Sequence, residues 1–332
     1  MKRICDLIND AGITVPLPLN GCPVRLRCRN RVNVIALGDV GATMLIGLRL
    51  LGSDVVSDIG ICDIRPEACR RLEMEINQIR YPFEGPELPG VHIIEPDDLF
   101  DCDVLIFCAS RGVPEVRKSS EADRDDGPTD VRMAQLEANR GIIKTYAGMA
   151  RDKGFKGLVA VVSDPVDNLA AAFLDESGLD AWQFQGYGLG VMNARAMYYA
   201  ERDSVFASYI TEGRVYGPHG QDLVAANSLT SYDPELSDAL TALARDANLE
   251  IRKLGYKPYI APAVSSAALS ILLTLRGEWH YGSIYLGSRE DGAFMGIKNR
   301  LTEDGWEYED ADLPDELYDR IRRAYNGLRS IR

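Results

Sequence analysis

The sequence predicts an α/β protein in which a doubly wound parallel sheet is followed by a second domain of mixed α+β structure. Two observations predict this fold class. Up to residue 165, short and nearly uninterrupted apolar runs alternate with segments of helical periodicity, as expected for parallel strands covered by helices on both faces. Beyond residue 165 this rhythm ends, and helical segments mix with strands in which apolar and polar residues alternate.

In chain order, each predicted element has its own signal. Apolar runs predict strands, whereas apolar or charged residues at helical spacing predict helices. Pro66 is well placed in the first turn of one such helix. Strands are predicted at 32–37, 59–63, 91–94, 103–108 and 157–162, with helices at 40–51, 66–79 and 130–151. Further helices are predicted at 165–175, 191–202, 235–254 and 262–276, with strands near 283–286 and 293–301.

These elements divide the 332-residue chain into three parts, and that length fits two domains at most. An N-terminal extension covers 1–31, the parallel sheet covers 32–165, and the second domain covers 166–332. The extension contains four arginines that alternate with apolar residues, so one face of a strand there would be basic. That face is either a solvated edge or a contact for an anion or an acidic neighbouring subunit. The four arginines are Arg25, Arg27, Arg29 and Arg31.

Composition and charge argue against several classes of function. The formal net charge is −13 and the pI is near 4.8, so most of the surface repels nucleic acid and anionic membranes. No run approaches the roughly 18 apolar residues of a membrane span, and the prolines after the first short apolar stretch argue against a secretion signal. Seven cysteines without a C-x-x-C pair and three scattered histidines predict neither a disulfide framework nor a metal site. We therefore expect a reduced, cytoplasmic protein.

The first motif with chemical content is the turn 36–41, Ala-Leu-Gly-Asp-Val-Gly, between a predicted strand and a predicted helix. Glycines in such a turn let the backbone approach the pyrophosphate of a dinucleotide, although Ala36 stands at the first glycine position. Asp63 ends the next strand, 22 positions after Gly41. A carboxylate there either caps a turn or accepts the ribose hydroxyls, and the latter role favours NAD over NADP. Asp39, an acid near the expected phosphates, is predicted to point to solvent.

Several later segments stand in the order and spacing of one family. Residues 103–109 look like a strand that leads to a mobile substrate loop, and 163–167 (Ser-Asp-Pro-Val-Asp) is similar to Ser-Asn-Pro-Val-Asp. Residues 192–195 (Met-Asn-Ala-Arg) lie where that family has Asp-x-x-Arg. The segment 216–221 resembles the family's Gly-x-His-Gly-Asp, and the segment 282–305 follows its final strands. From the first predicted strand onward, the chain resembles the lactate/malate dehydrogenase family. The resemblance implies a Rossmann fold, NAD as cofactor, and assembly into a homodimer or homotetramer.

The resemblance also implies roles for three basic residues that would otherwise be turn or surface residues. His219 exchanges a proton with a 2-hydroxy acid while hydride moves to or from the nicotinamide. Arg195 holds the substrate carboxylate through two parallel donors. Arg132, seven residues before Asn139, moves in with its loop, polarises the carbonyl and excludes water. The candidate cofactor contacts are Gly38, Asp39, Val40, Gly41, Asp63, Ala109 and Ser163, and the candidate substrate contacts are Arg132, Asp164, Arg195 and Lys257.

Two substitutions separate the chain from the family pattern near the histidine. Met192 occupies the place of an aspartate whose carboxylate orients the histidine and stabilises its cation. Asp164 replaces an asparagine that donates a hydrogen bond to substrate, whereas an ionised carboxylate only accepts. We expect Asp164 to take over the pairing with His219. The alternative is that Asp164 accepts a hydrogen bond from an unusual substrate group.

The substrate loop differs as well. It spans 18 positions from Pro114 to Arg132, longer than in the family, and its inserted segment is polar. Malate enzymes carry an additional arginine just after the proline, but Glu115 stands there. Lys257 precedes 258–262, a region that lines the family's substrate pocket, so it is either a pocket lysine or a surface lysine. The candidates for the missing positive charge are Arg117, Lys118, Arg124 and Lys257.

These features predict an NAD-dependent dehydrogenase that transfers a hydride between nicotinamide and a 2-hydroxy/2-oxo acid, with an altered substrate pocket. One alternative is an NAD-binding protein that has lost turnover and serves sensing or assembly, because Met192 and Asp164 depart from the family pattern. Another is a glycosidase that shares the NAD-binding fold. That reading needs metal ligands, and no cysteine follows Cys108.

Overall fold

The computed structural model describes residues 2–19, 28–110 and 128–331, with the backbone alone at 128–135. The described strands are β1 (Asn30–Ile35), β2 (Val56–Cys62), β3 (Gly90–Ile93), β4 (Val104–Phe107), β5 (Leu158–Val161), β6 (Phe184–Gly186), β7 (Arg214–Tyr216), β8 (Val224–Ala226), β9 (His280–Gly287), β10 (Gly292–Thr302) and β11 (Gly305–Tyr308). The described α-helices are α1 (Asp6–Asp10), α2 (Asp39–Leu51), α3 (Pro66–Asn77), α4 (Pro128–Asp152), α5 (Val166–Ser177), α6 (Leu189–Ala200), α7 (Tyr209–Glu212), α8 (Pro234–Lys253), α9 (Ser270–Leu275) and α10 (Asp315–Ser330). Short 3₁₀ helices lie at Pro96–Asp98, Ala181–Gln183 and Ser204–Phe206, and a π-helix covers Pro262–Leu269.

Most of these strands form one sheet, in the order β3-β2-β1-β4-β5-β6-β9-β10-β11, while β7 and β8 pair separately. Neighbours from β3 to β6 are parallel, and β9, β10 and β11 continue the sheet in antiparallel pairing. The order of the parallel part is that of a doubly wound Rossmann sheet, so the predicted fold class is confirmed. The sheet runs on past residue 165, because Gly186 pairs with Ser283. The division into domains at residue 165 stays a prediction.

The two faces of the parallel sheet are buried in separate apolar clusters. Along β4, Val104 and Ile106 pack in the cluster that contains Met44 of α2, whereas Leu105 and Phe107 pack in the cluster formed with α4 and α5. Successive side chains of a strand point to opposite faces, so burial of both faces requires an apolar residue at every position. This explains the uninterrupted runs of β4 and β5.

Other elements were not predicted or differ from the prediction. The strands β6, β7 and β8 have three residues each, which is too short for a readable alternation. The predicted α-helix at 262–276 is instead a π-helix over 262–269 followed by α9. A π-helical stretch of this kind is frequent at functional sites. Among the described helices, none combines the length and the apolar composition that crossing a bilayer requires.

The N-terminal extension packs on the C-terminal strands. The backbone N–H of Leu17 donates to the carbonyl of Gly287 at 2.7 Å, and the N–H of Trp306 donates to the carbonyl of Leu19 at 2.8 Å. Residues 4 and 7 also contribute buried apolar side chains to the cluster that contains α10. The described part of the extension is therefore held by both backbone pairing and apolar burial.

The basic strand predicted within the extension is described only at its end. Arg25 and Arg27 lie outside the described residues. Arg29 precedes β1, and its Nε donates to the carbonyl of Val56 at 3.2 Å. Arg31 lies within β1 and is exposed. β1 thus begins two residues before the predicted strand start at residue 32, and Arg31 belongs to the sheet rather than to the extension.

Candidate active site

The turn between β1 and α2 has the backbone geometry of a close approach. Ala36, at the first glycine position, has a left-handed conformation with φ of +70°. A Cβ at Gly41 would lie 2.3 Å from the carbonyl oxygen of Ala36, so only glycine fits there. A Cβ at Gly38 would meet no atom within 4 Å, so the space before the helix is open. The N–H groups of the first turn of α2 face that space, as in a site for phosphates.

Asp63 follows β2 and is tied to the same turn. Its Oδ2 accepts a hydrogen bond from the N–H of Leu37 at 2.6 Å, and its Oδ1 accepts from the N–H and Nε of Arg65 at 2.9 and 3.0 Å. Burial opposes ionisation of Asp63, whose side chain is 4% exposed, but these hydrogen bonds outweigh burial and lower its pKa. The Asp63 carboxylate therefore holds the turn in place. A ribose bound there would share the carboxylate with Leu37 and Arg65.

Asp39 opens α2 and is exposed, as predicted, but it does not point into solvent alone. Its Oδ2 lies 3.1 Å from Nζ of Lys257, with side chains that are 51% and 60% exposed. The contact brings the Lys257 ammonium to the first turn of α2. The place of Lys257 in the substrate pocket stays a prediction.

The remaining candidate cofactor residues lie at neighbouring strand ends. Val40 is half-buried in the first turn of α2, and Ala109 is buried just after β4. Ser163 follows β5 and donates its hydroxyl to the carbonyl of Ala109 at 2.7 Å. Since β1, β4 and β5 are adjacent and parallel, their carboxyl ends meet at one edge of the sheet. The turn before α2 and the residues after β4 and β5 share this edge.

His219 reaches the same edge from the loop after β7. Its Nδ1 lies 3.4 Å from Oδ1 of Asp164, with side chains that are 23% and 40% exposed. The predicted pairing of these two residues is confirmed. A Cβ at Gly188 would lie 3.0 Å from the Cβ of His219, so the glycine before α6 lets the histidine approach. A proton on Nδ1 directed at the carboxylate leaves Nε2 as the basic nitrogen of the ring.

Met192 takes no part in this pairing. Its side chain is 1% exposed and packs in an apolar cluster with Leu189, Val191 and Leu240. A thioether neither carries a charge nor accepts a strong hydrogen bond. The acid beside His219 thus comes from the end of β5 rather than from α6.

Arg195 lies on α6, seven residues after Gly188. Seven residues correspond to roughly 10 Å along a helix axis and to nearly two full turns, so the two residues lie on nearly the same face. Its guanidinium is half-buried, and Nη1 donates to the carbonyl of Ala244 on α8 at 3.4 Å. Burial lowers the pKa of Arg195, although a guanidinium remains charged. Within the described residues, no carboxylate forms an ion pair with it. Such a site suits an external anion.

Two supporting residues were not singled out as functional from the sequence. Asn139 of α4 is fully buried, and its Nδ2 donates to the carbonyl of Asp164 at 3.3 Å. Ser266 of the π-helix donates to the carbonyl of Gly188 and accepts from the N–H of Val191, both at 2.8 Å. These contacts hold the backbone beside the histidine pair. In the sequence, Asn139 served only to place Arg132 by spacing, and Ser266 is a polar residue on an apolar helix face, a signal too general to identify it.

The substrate loop contributes nothing further to the described site. Arg132 lies in α4, and its side chain falls outside the described residues. The loop 111–127 is outside them too, and with it the candidate charges Glu115, Arg117, Lys118 and Arg124.

Known proteins resemble this chain in both sequence and fold. A family model described as the NAD-binding domain of lactate/malate dehydrogenase matches residues 30–186, from β1 to β6. An L-lactate dehydrogenase of Staphylococcus haemolyticus is 24% identical over 254 residues, covering 74% of each chain. One from Oceanobacillus iheyensis is 25% identical over 285 residues, covering 78% of this chain and 84% of its own.

Solved structures extend the likeness in fold to nearly the whole chain. A minor L-lactate dehydrogenase from Enterococcus mundtii has a TM-score of 0.73 at 18% identity, covering 92% of this chain and 98% of its own. A malate dehydrogenase from Archaeoglobus fulgidus in complex with NADH has a TM-score of 0.68 at 21% identity, covering 91% and 98%. At these identities the likeness concerns the fold.

Proposed function

The chain belongs to the lactate/malate dehydrogenase family, and from this premise we propose that it transfers a hydride between NAD and a 2-hydroxy/2-oxo acid. One observation carries the proposal. The His219–Asp164 pair and the dinucleotide turn lie at the carboxyl ends of neighbouring parallel strands, so a proton-exchanging group and a nucleotide site share one crevice. Ligands of doubly wound sheets bind in that crevice.

The residues at the turn fit a dinucleotide. Gly38 leaves open space at the helix end, and the glycine at 41 permits the tight turn against Ala36. NAD, when bound, supplies the hydride acceptor or donor. The residues that would surround it are Gly38, Asp39, Val40, Gly41, Asp63, Ala109 and Ser163. An acid at the end of β2 favours NAD over NADP, because it repels a 2′-phosphate.

His219 moves the proton. Its Nδ1–H is directed at Asp164, which fixes the ring and stabilises the cation that forms when Nε2 takes a proton from the substrate hydroxyl. In the reverse direction Nε2 returns that proton to the substrate oxygen. The hypothesis of an inactive NAD-binding protein depends mainly on the family aspartate that Met192 replaces. Asp164 supplies a carboxylate in its place, so this arrangement argues against that hypothesis.

Arg195 holds the substrate carboxylate. A half-buried guanidinium, with only one carbonyl as hydrogen-bond acceptor among the described residues, retains donors for a bidentate contact. Arg132 polarises the substrate carbonyl when the loop closes, a role that rests on the family resemblance. The departures at Glu115 and Asp164 support a 2-oxo acid other than pyruvate or oxaloacetate.

The proposed enzyme is a cytoplasmic homodimer or homotetramer. Ile46 and Leu50 of α2 are exposed, and so is Leu269 of the π-helix. The two helices pack together, since a Cβ built at Gly47 would lie 2.6 Å from that of Ala268, and exposed apolar side chains suit a contact between subunits. The six described cysteines are free thiols, which suits a reducing compartment. Light scattering after gel filtration tests the assembly.

A spectrophotometric screen tests the activity. NADH oxidation is followed across pyruvate, oxaloacetate, and branched and aromatic 2-oxo acids. We expect turnover with at least one acid of the panel. Binding of NADH without oxidation by any member of the panel would instead favour a sensing or assembly role.

A further inference from the structure

The first turn of α2 carries an acid where a pyrophosphate is expected. Asp39 is the first residue of the helix, directly after the open space at Gly38. The partial positive charge of a helix N-terminus attracts any anion, so the Asp39 carboxylate competes with phosphates for it and also repels them. Without compensation, this acid would weaken dinucleotide binding.

A cation from the other half of the chain meets this acid. Nζ of Lys257 lies 3.1 Å from Oδ2 of Asp39, and 218 residues separate the two in sequence. The side chains are 60% and 51% exposed, so the pair contributes little to the free energy of unfolding. The main effect of the pair is therefore on the binding of charged groups, such as phosphates, at the N-terminus of α2.

The backbone after Lys257 leads directly into the π-helix, which packs on α2. The N–H of Tyr259 donates to the carbonyl of Lys257 at 3.1 Å, and the N–H of Ala263 donates to the carbonyl of Tyr259 at 3.0 Å. The π-helix that follows packs on α2, where Ala268 approaches Gly47. These contacts fix the segment that carries the lysine beside the turn.

We infer that Lys257 is a positioning residue for the cofactor, because its ammonium neutralises Asp39 and makes the helix end accept a pyrophosphate. The inference rests on the proposed function and assigns Lys257 to the nucleotide rather than to the substrate pocket. It predicts that Lys257 matters only while Asp39 carries its charge.

A double-mutant cycle tests this coupling. The variants are Lys257→Met, Asp39→Asn and the double substitution, with Lys253→Met as the matched control. Lys253 lies four residues away and pairs with Glu250 at 2.6 Å instead. NADH affinity is measured by fluorescence titration, with ADP-ribose as a probe that keeps the pyrophosphate and adenosine as one that lacks it. Thermal unfolding of each variant monitors folding.

We expect Lys257→Met to weaken NADH and ADP-ribose about tenfold at low salt, because an unpaired carboxylate then faces the phosphates. Adenosine binding stays unchanged, and so does NADH binding by Lys253→Met. The double variant returns to within about twofold of wild type, since nothing remains to be neutralised.

Two results overturn the inference. One is wild-type NADH affinity in Lys257→Met, and the other is a double variant as weak as Lys257→Met, which would make the lysine independent of Asp39. Failure of the wild-type protein itself to bind NADH is a different result, because it contradicts the proposed function. The cycle therefore separates the two claims.

Discussion

Two histidines of this chain stand in opposite surroundings. His219 is partly exposed in the crevice, with a carboxylate 3.4 Å from its Nδ1. His280 begins β9 and is buried, with its Nε2 at 2.9 Å from Nε2 of Gln185 and 3.0 Å from Oγ1 of Thr274. Its Nδ1 lies 3.1 Å from the carbonyl of Glu278. One ring has a charged partner and access to solvent, and the other has neither.

The difference shows that neighbours determine what a histidine does. Burial lowers the pKa of His280 to about 4, so the ring is neutral at physiological pH and serves as a fixed hydrogen-bonding joint. Nε2 of Gln185 also donates to Oδ1 of Asn299 at 2.7 Å. These hydrogen bonds link the parallel strand β6 to the antiparallel strands. His219 is suited to proton exchange because a carboxylate orients its ring and the side chain is partly open to solvent.

The largest effect is expected from removing the ring in the crevice. His219→Gln keeps polarity but cannot exchange a proton near neutral pH, so kcat falls about a thousandfold or more. NADH affinity and the free energy of unfolding stay near wild type. Steady-state kinetics measures kcat, fluorescence titration measures NADH affinity, and urea denaturation measures the free energy of unfolding. His92→Gln on the exposed strand β3 is the neutral control. Substantial turnover by His219→Gln would remove the functional contrast between the two histidines.

Removing the charge beside that ring is expected to have the next largest effect. Asp164→Asn retains an acceptor for Nδ1–H but no longer stabilises an imidazolium, so kcat falls about a hundredfold. The substitution creates the asparagine of the family motif, yet it lowers activity here because Met192 offers no replacement. Unchanged kcat would mean that Asp164 does not assist His219. Melting temperature serves as the check on folding.

His280 predicts an acid-sensitive fold. Its pKa in the folded state is about 4, below the value of about 6.5 in an unfolded chain. As pH falls below about 6.5, the unfolded state binds a proton that the folded state does not, so stability present above that pH is lost towards pH 4. The loss is roughly 3 kcal/mol. Urea denaturation between about pH 7 and about pH 4.5 measures it.

A variant sharpens this prediction. His280→Gln is less stable than wild type at neutral pH, because the buried bonds are imperfectly replaced, but its stability changes less on acidification. An equal loss in both proteins would assign the acid sensitivity to other groups.

The smallest effect concerns the proposed contact between Arg195 and the substrate carboxylate. Arg195→Lys keeps the positive charge but loses the parallel donors, so kcat/KM for the 2-oxo acid falls about tenfold. NADH binding is unaffected. Comparison with Arg202→Lys, an exposed arginine just beyond the same helix, gives the baseline. An intact kcat/KM would contradict the proposed grip on the carboxylate.

The sequence alone determined the strands β1 to β5 and the helices between them, because their signals are local. The strand predicted at 157–162 is found at Leu158–Val161, and the helix predicted at 66–79 is found at Pro66–Asn77. Uninterrupted apolar runs reflect burial on both faces, and the apolar character of each residue indicates this burial without reference to distant residues. The three-residue strands and the π-helix carry no comparable periodicity and were not predicted.

Tertiary structure decided the partners within the site. The motif order predicted that His219 and Asp164 pair, and they do, whereas the contact of Lys257 with Asp39 has no signal in the sequence. Asp63 was expected to cap a turn or to accept a ribose, and its hydrogen bond to the N–H of Leu37 joins residues 26 positions apart. Secondary structure depends on neighbours a few positions away, whereas these contacts join residues far apart in the chain. Their distances are set by how helices pack on the sheet, which no local pattern encodes.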